Sequence, residues 1–174
     1  MVILGIDPGY AIVGWGVILF ERGKVKPLAF GSIQTPAHTD FSKRLKTIYD
    51  DLNQIIERYH PQAAAVEKLY FQNNQKTAID VAEARGIVLL SLYEHTVPLF
   101  EYTPLQVKSA VTGFGQAEKP QVMEMTRRRL GLEEVPKPDD TADALAIAIC
   151  HAQSGGGGLQ SRIQEKLKKE EPET

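Results

Sequence analysis

The sequence contains little cysteine, few aromatic residues and no excess of charge of either sign. Its only cysteine, Cys150, excludes an internal disulfide and a zinc site built from cysteines. No uncharged apolar run approaches the roughly 20 residues that a membrane span needs, so we expect no association with a membrane. The first apolar segment follows no basic residue and ends at Asp7, so we expect no signal peptide and a cytoplasmic location.

The overall composition is that of an ordinary globular domain. Of 174 residues, 43% are hydrophobic and 24% are charged, and the formal net charge is −2. A slightly negative chain argues at first against a nucleic-acid partner, but acids that gather around metal ions can hide a local binding surface. The basic residues are also unevenly placed, since five of them lie within one stretch: Lys108, Lys119, Arg127, Arg128 and Arg129.

The hydrophobic pattern predicts strands first and then alternating helices and strands. Strand-like segments occupy residues 2–6, 12–20, 25–34, 63–67 and 97–102. Helical spacing or helix-start signals mark residues 40–59, 76–95, and segments that begin near 104, 120 and 139. We therefore expect an α/β fold with a mixed five-stranded sheet, in which a three-strand antiparallel meander is followed by two parallel strands, with helices on both faces.

The chain is expected to divide into one domain and a tail. Residues 1–152 carry all of the predicted strands and helices. Residues 153–174 contain four consecutive glycines followed by a highly charged segment, which is typical of a flexible linker and tail.

Four carboxylates stand at positions where a charge is costly or crowded. Asp7 and Glu67 each end an apolar strand, and Asp140 and Asp143 share one face at the start of the last helix. Taken singly, Asp7 fits a turn residue and the helix acids fit the positive end of the helix dipole. Taken together, all four fit one cage for a divalent metal. Oxygen ligands alone favour Mg²⁺ or Mn²⁺, and two such ions are a common device for attack on a phosphodiester.

Several short motifs occur in an order that resembles a known family. They are Gly5-Ile6-Asp7-Pro8-Gly9, Val66-Glu67, Ala84-Arg85-Gly86, Gln106-Val107-Lys108, Ala117-Glu118-Lys119 and Asp140-Thr141-Ala142-Asp143-Ala144-Leu145-Ala146. Together they resemble the RuvC family of Holliday-junction resolvases, which have a ribonuclease-H-like fold. The resemblance covers residues 1–152.

The resemblance implies an Mg²⁺-dependent homodimeric endonuclease, with Mn²⁺ able to substitute, that nicks two opposed strands of a four-way DNA junction during recombination and repair. It implies that Asp7, Glu67, Asp140 and Asp143 are the catalytic, metal-binding acids. It also implies that Tyr70 stacks on a base near the cut, and that Lys108 and Lys119 contact DNA phosphate. Partnership with the branch-migration proteins RuvA and RuvB is implied by the family only.

Three alternatives remain open at this point. A phosphate-binding kinase domain would use the turn after Asp7, although 174 residues are few for two closing domains. A related nuclease of ribosomal RNA would share the fold and the metal chemistry. A scaffold that binds junctions without cutting them would need none of the four acids. For a dimer, the helix at 76–95, with small residues such as Ala84 and Gly86, is the candidate interface.

Overall fold

Five strands form one mixed sheet in the computed structural model, which describes residues 1–68 and 75–154. The strands are β1 (Val2–Asp7), β2 (Ile12–Glu21), β3 (Lys24–Gln34), β4 (Ala63–Glu67) and β5 (Leu99–Tyr102). Their order across the sheet is β3-β2-β1-β4-β5. The first three strands are antiparallel, whereas β4 lies parallel to β1 and β5 lies parallel to β4. The predicted meander followed by two parallel strands is confirmed.

Helices cover both faces of the sheet. They are α1 (Phe41–Tyr59), α2 (Gln75–Glu94), α3 (Pro104–Thr112), α4 (Lys119–Leu130) and α5 (Asp139–Gln153). Each agrees with its predicted position to within a few residues. None of the described helices is long and apolar enough to cross a membrane.

The two cores follow from the alternation of side chains along the central strands. Ile3 of β1 points into a core that α3, α4 and α5 complete, while Leu4 points into the opposite core, which α1 and α2 complete. Both side chains are fully buried. Because successive strand residues face opposite sides, β1 is apolar on both faces and lies at the centre of the molecule.

Local sequence signals fix where the helices next to the site begin and end. Thr103 caps α3 by accepting a hydrogen bond from the Gln106 backbone at 3.2 Å, and the Gln106 side chain returns a contact to the Thr103 N–H. At the start of α4, the Glu118 N–H likewise donates a 3.1 Å hydrogen bond to the Gln121 side chain. This hydrogen bonding fixes the backbone at the start of α4, and with it the position of the first residue of that helix, Lys119.

Helix α5 lies unusually close to the sheet because glycines of the central strands have no side chain to separate them. A Cβ atom on Gly5 would lie 2.0 Å from the carbonyl oxygen of Ala144, and one on Gly14 would lie 1.9 Å from that of Asp140. No Cβ can occupy such a position, so these glycines are required for the approach. The alanines of α5 complete the contact, since Ala144 and Ala148 are fully buried.

Helix α2, the candidate dimer interface, is partly buried within the chain itself. Ala84 and Val88 are fully buried against the chain's own core, so they are not available to a partner. The exposed side of the same helix instead carries Ile79, Gly86 and Leu90, and continues to Tyr93.

Candidate active site

Asp7 and Glu67 lie side by side because they end two neighbouring parallel strands. Ile6 of β1 is paired with Val66 of β4, so the next residue of each strand is one of the two acids. The carboxyl ends of parallel strands meet at the same edge of a sheet, and both side chains therefore reach the same space.

The first turn of α5 brings Asp140 and Asp143 to that edge. Gly14 is the register partner of Asp7 across β1 and β2, and the backbone of Asp140 packs directly on Gly14. The hydroxyl of Thr141 donates a 3.1 Å hydrogen bond to the carbonyl of Gly31 on β3, which anchors the same turn. The structure thus brings all four predicted acids to one end of the sheet.

The acids interact strongly with one another. Desolvation, and then the charges of Asp143, Glu67 and Asp140, raise the pKa of Asp7 to about 8. Burial and the charge of Asp143 raise the pKa of Glu67, and burial raises that of Asp143 in spite of a neighbouring lysine. Raised carboxyl pKa values mean that the folded chain holds this negative charge at a cost, which added positive charge would relieve.

Lys119 supplies part of that positive charge. Its Nζ lies 2.9 Å from Oδ2 of Asp143 and 3.5 Å from Oδ2 of Asp139. Although desolvation lowers the pKa of Lys119, its hydrogen bond with Asp143 and the charges of Asp143 and Asp139 raise it overall. Asp143 has no basic residue within four positions in the sequence, so this ion pair depends entirely on the fold.

A cavity of about 270 Å³ adjoins the acids between α3, α4 and α5. Its lining includes Glu67 and Asp143 together with Lys108 and Lys119. The charge of Lys108 also lowers the pKa of Glu67, which opposes the effect of burial. Both predicted lysines therefore lie beside the predicted acids, in a cleft that could receive an anionic group.

The donor atoms suit a hard divalent cation. All four acids offer carboxylate oxygens, and burial together with the charges of the neighbouring acids raises the pKa of Asp7, an effect that a bound cation would oppose. Within residues 1–68 and 75–154, no three carboxylate, imidazole or thiol groups are already arranged around one point as metal ligands are. A bound ion would draw the carboxylates closer together and would compete with Lys119 for Asp143.

The remaining residues that the sequence suggested for DNA binding are Tyr70 and the arginines of α4. Tyr70 lies outside the described residues. Arg127 and Arg128 both bind Glu124 on their own helix, with nitrogen-to-oxygen distances of 2.8 and 2.6 Å, so neither is directed at the acids.

Two features of the α5 face escaped the sequence analysis. One is the close approach of α5 to Gly5 and Gly14, for which the only signal is glycine inside a strand, a sign of close backbone contact. The other is a buried polar pair in which the Tyr102 hydroxyl lies 2.8 Å from Nδ1 of His151, while Nε2 of His151 has no hydrogen-bond partner among the residues that the structure describes.

Comparison with known proteins identifies the family. The sequence model described as "Crossover junction endodeoxyribonuclease RuvC" matches residues 3–151. The chain belongs to the RuvC family. A relative of that name from Alkaliphilus oremlandii is 52% identical over 155 residues, covering 89% of this chain and 94% of the relative. One from Moorella thermoacetica is 53% identical over 152 residues, covering 87% of this chain and 91% of the relative.

A solved structure extends the similarity to three dimensions. T. thermophilus RuvC in complex with a Holliday junction substrate superposes with a TM-score of 0.83 at 36% identity, covering 91% of this chain and 97% of that one. The ribonuclease-H-like fold and the family resemblance are thereby confirmed. The chain is a Holliday-junction-resolving endonuclease, and its family is one of metal-dependent nucleases.

Proposed function

We propose that this chain cuts four-way DNA junctions by paired symmetric nicks in two opposed strands, with Asp7, Glu67, Asp140 and Asp143 as the ligands of an Mg²⁺ centre. The observation that carries the proposal is the convergence of these acids from three separate elements, where burial and the neighbouring acids raise the pKa of Asp7. Two ions per site are proposed, with Mn²⁺ able to replace Mg²⁺.

The chain's own residues would prepare the phosphodiester for attack. A divalent centre bound by the four acids would supply an activated water and would stabilise the charge that develops on the leaving oxygen. The four carboxylates hold that centre at the end of the sheet, where β1, β4 and α5 are fixed by buried contacts. Their shared negative charge also keeps the DNA phosphate away unless cations are present, which makes cutting dependent on the metal.

Lys108 and Lys119 are proposed to contact the phosphate next to the cut. A lysine ammonium is a compact positive charge that suits a phosphate oxygen, and both side chains line the cavity beside the acids. Tyr70, three residues after Glu67, is proposed to stack on a base at the branch point, where bases lack their usual neighbours. Any aromatic ring can stack in this way. The choice of Tyr70 therefore rests on its place in the family pattern.

A homodimer would provide the two equivalent sites that symmetric nicking needs. We propose that the partner covers the exposed side of α2, where large apolar groups stand in solvent in the isolated chain. Ile79 is 68% exposed and Tyr93 is 83% exposed, with Leu90 between them along the helix. Gly86 lies on the same side, and a Cβ there would meet nothing within 4 Å in its own chain. A glycine inside a helix costs about 1 kcal/mol relative to alanine, and close contact with a second helix would justify that cost.

The remaining parts of the proposal rest on the family. We propose that the domain spans residues 1–152, that residues 153–174 form a linker and tail, and that the enzyme acts on chromosomal DNA in the cytoplasm. RuvA and RuvB are the proposed partners for branch migration.

The decisive experiment compares a mobile four-way junction with a linear duplex and a structured RNA, each incubated with Mg²⁺ or with a chelator. We expect paired nicks in the junction only, and none with the chelator. Asp7→Asn should abolish cutting while preserving junction binding in a gel-shift assay. Preference for the RNA would instead support the related RNA nuclease, and binding without cutting by the native chain would support a scaffold.

A further inference from the structure

Lys119 lies between two carboxylates of one helix face. Asp139 and Asp143 are four residues apart on α5, so one lies a single turn above the other. Asp143 is the inner of the two, with 28% of its side chain exposed, and Asp139 is the outer, with 59% exposed. The ammonium of Lys119 reaches both, at 2.9 and 3.5 Å respectively.

The contact with Asp143 conflicts with the proposed use of that residue. A divalent cation on Asp143 would compete with the ammonium that now lies 2.9 Å from Oδ2 of the same carboxylate, and it would repel that ammonium. The ion pair between Lys119 and Asp143 would therefore weaken, which favours a shift of Lys119. Its backbone is fixed as the first residue of α4, which follows the buried Ala117 and precedes Pro120, so the flexible four-carbon stem is the part that can adjust.

Asp139 is placed to receive the displaced ammonium. It already lies 3.5 Å from Lys119, and within the described residues no other lysine, arginine or histidine nitrogen lies within 4.0 Å of its carboxylate. A small rotation toward Asp139 would keep Lys119 at the rim of the cavity, beside the place proposed for the DNA phosphate. Without Asp139, the ammonium would move into solvent or remain in competition with the metal.

We propose that Asp139 is a positioning residue that takes over Lys119 when a divalent cation occupies Asp143, so that metal binding turns Lys119 from an internal counter-ion into a phosphate contact. This inference rests on the proposed metal centre. It assigns a role to an acid that is otherwise only a favourable charge at a helix start. A charge that acted on the helix dipole alone would affect metal binding equally with or without Lys119.

The test is a double-mutant cycle on Mn²⁺ binding, measured by calorimetry and by electron paramagnetic resonance without DNA. Lys119→Met should tighten Mn²⁺ binding about 3- to 20-fold because the competing ammonium is gone. Asp139→Asn should weaken binding about 3- to 10-fold in the native background and less than 2-fold beside Lys119→Met. Asp139→Glu should restore most of the loss. These fold-changes are of the order expected for single charge contacts in a partly exposed site.

Glu21→Gln is the matched control, since it removes one exposed carboxylate at the opposite end of the sheet and should leave Mn²⁺ affinity unchanged. Equal effects of Asp139→Asn in both backgrounds, or no effect of Lys119→Met, would overturn the inference. If Asp7→Asn binds Mn²⁺ as tightly as the native protein does, the metal centre itself is refuted. The failure of the inference and the failure of the metal centre are therefore distinguishable. Thermal unfolding of each variant establishes that it is folded.

Discussion

Gly14 faces Asp7 across β1 and β2, and its missing side chain is what allows the backbone of Asp140 to approach Asp7. A Cβ on Gly14 would lie 1.9 Å from the Asp140 carbonyl oxygen, far inside any real contact distance. Gly14 takes no part in the chemistry, but its lack of a side chain lets the first turn of α5 lie beside the end of β1.

Gly14→Ala should displace the start of α5 and damage both stability and cutting. We expect a loss of about 2–4 kcal/mol in the free energy of unfolding, since backbone atoms must move to admit the methyl group. Cutting should fall at least 100-fold, because a shift of about 1 Å in a catalytic group has that effect. Urea denaturation and junction cleavage measure the two effects.

Gly31→Ala is the graded control for this change. Its added Cβ would lie 3.1 Å from the edge of the Trp15 ring, a side chain that can shift slightly. We expect a loss below about 1.5 kcal/mol and cutting within tenfold of the native rate. Similar damage from both substitutions would contradict the special role of the contact between Gly14 and Asp140.

The stability of the metal-free protein should fall as the pH rises from about 4 to about 8. The pKa of Asp7 is raised from 3.8 to about 8 in the folded chain, so the folded form keeps a proton that the unfolded form has lost. When the folded state binds more protons, its stability decreases with increasing pH, here by about 1–3 kcal/mol across the window. Urea denaturation in a chelator at several pH values measures this slope.

Two comparisons make the pH prediction specific. Asp7→Asn should reduce the slope and stabilise the metal-free protein at pH 8, while leaving its stability near pH 4 little changed. Saturating Mg²⁺ should also flatten the slope, because a bound cation offsets the same repulsion. An unchanged slope in Asp7→Asn would mean that other groups carry the effect.

Lys108→Gln should slow cutting more than it weakens binding. The lysine lines the cavity beside Glu67 and its charge lowers the pKa of that carboxyl, which supports the proposal that its charge acts at the reacting phosphate. We expect cutting to fall about 100-fold and junction affinity to fall less than tenfold. The number of ions released on binding, obtained from the salt dependence of the affinity, should decrease by about one.

Lys26→Gln is the matched control for Lys108, because it removes an exposed lysine near the far end of the sheet. Binding and single-turnover cutting should both remain within twofold of the native values. If Lys108→Gln lowered affinity and rate in equal proportion, its role would be general attraction of DNA.

Leu90→Glu should convert the proposed dimer to a monomer. Leu90 is 46% exposed on the outer side of α2, and a buried charge at an apolar interface costs several kcal/mol. Sedimentation should detect a halved mass, and the two nicks in a junction should become independent. Leu28→Glu is the control, since Leu28 is 48% exposed on the edge strand β3. A dimer that survives Leu90→Glu places the interface elsewhere.

Most elements could be predicted because their signals are local. The alternation along β1 and β2, the helical spacing of Leu52 and Ile56 in α1, and the capping box at Thr103 each involve residues close in sequence. Asp7 and Glu67 were recognisable because a charge at the end of an apolar strand needs an explanation, and Asp140 and Asp143 because they crowd one face at the start of a helix. The side of α2 that meets the chain's own core could not be predicted, since small apolar residues such as Ala84 do not reveal which face of a helix is buried.

By itself, the sequence determined the order and type of the elements, the family and the identity of the candidate acids, because these depend on local patterns and on motifs read along the chain. Only the tertiary structure decided how near the acids come to one another, that Lys119 binds Asp143 and Asp139, and that Gly14 admits Asp140. Those contacts join residues far apart in sequence. Their energies depend on distance and burial in three dimensions, which no local pattern encodes.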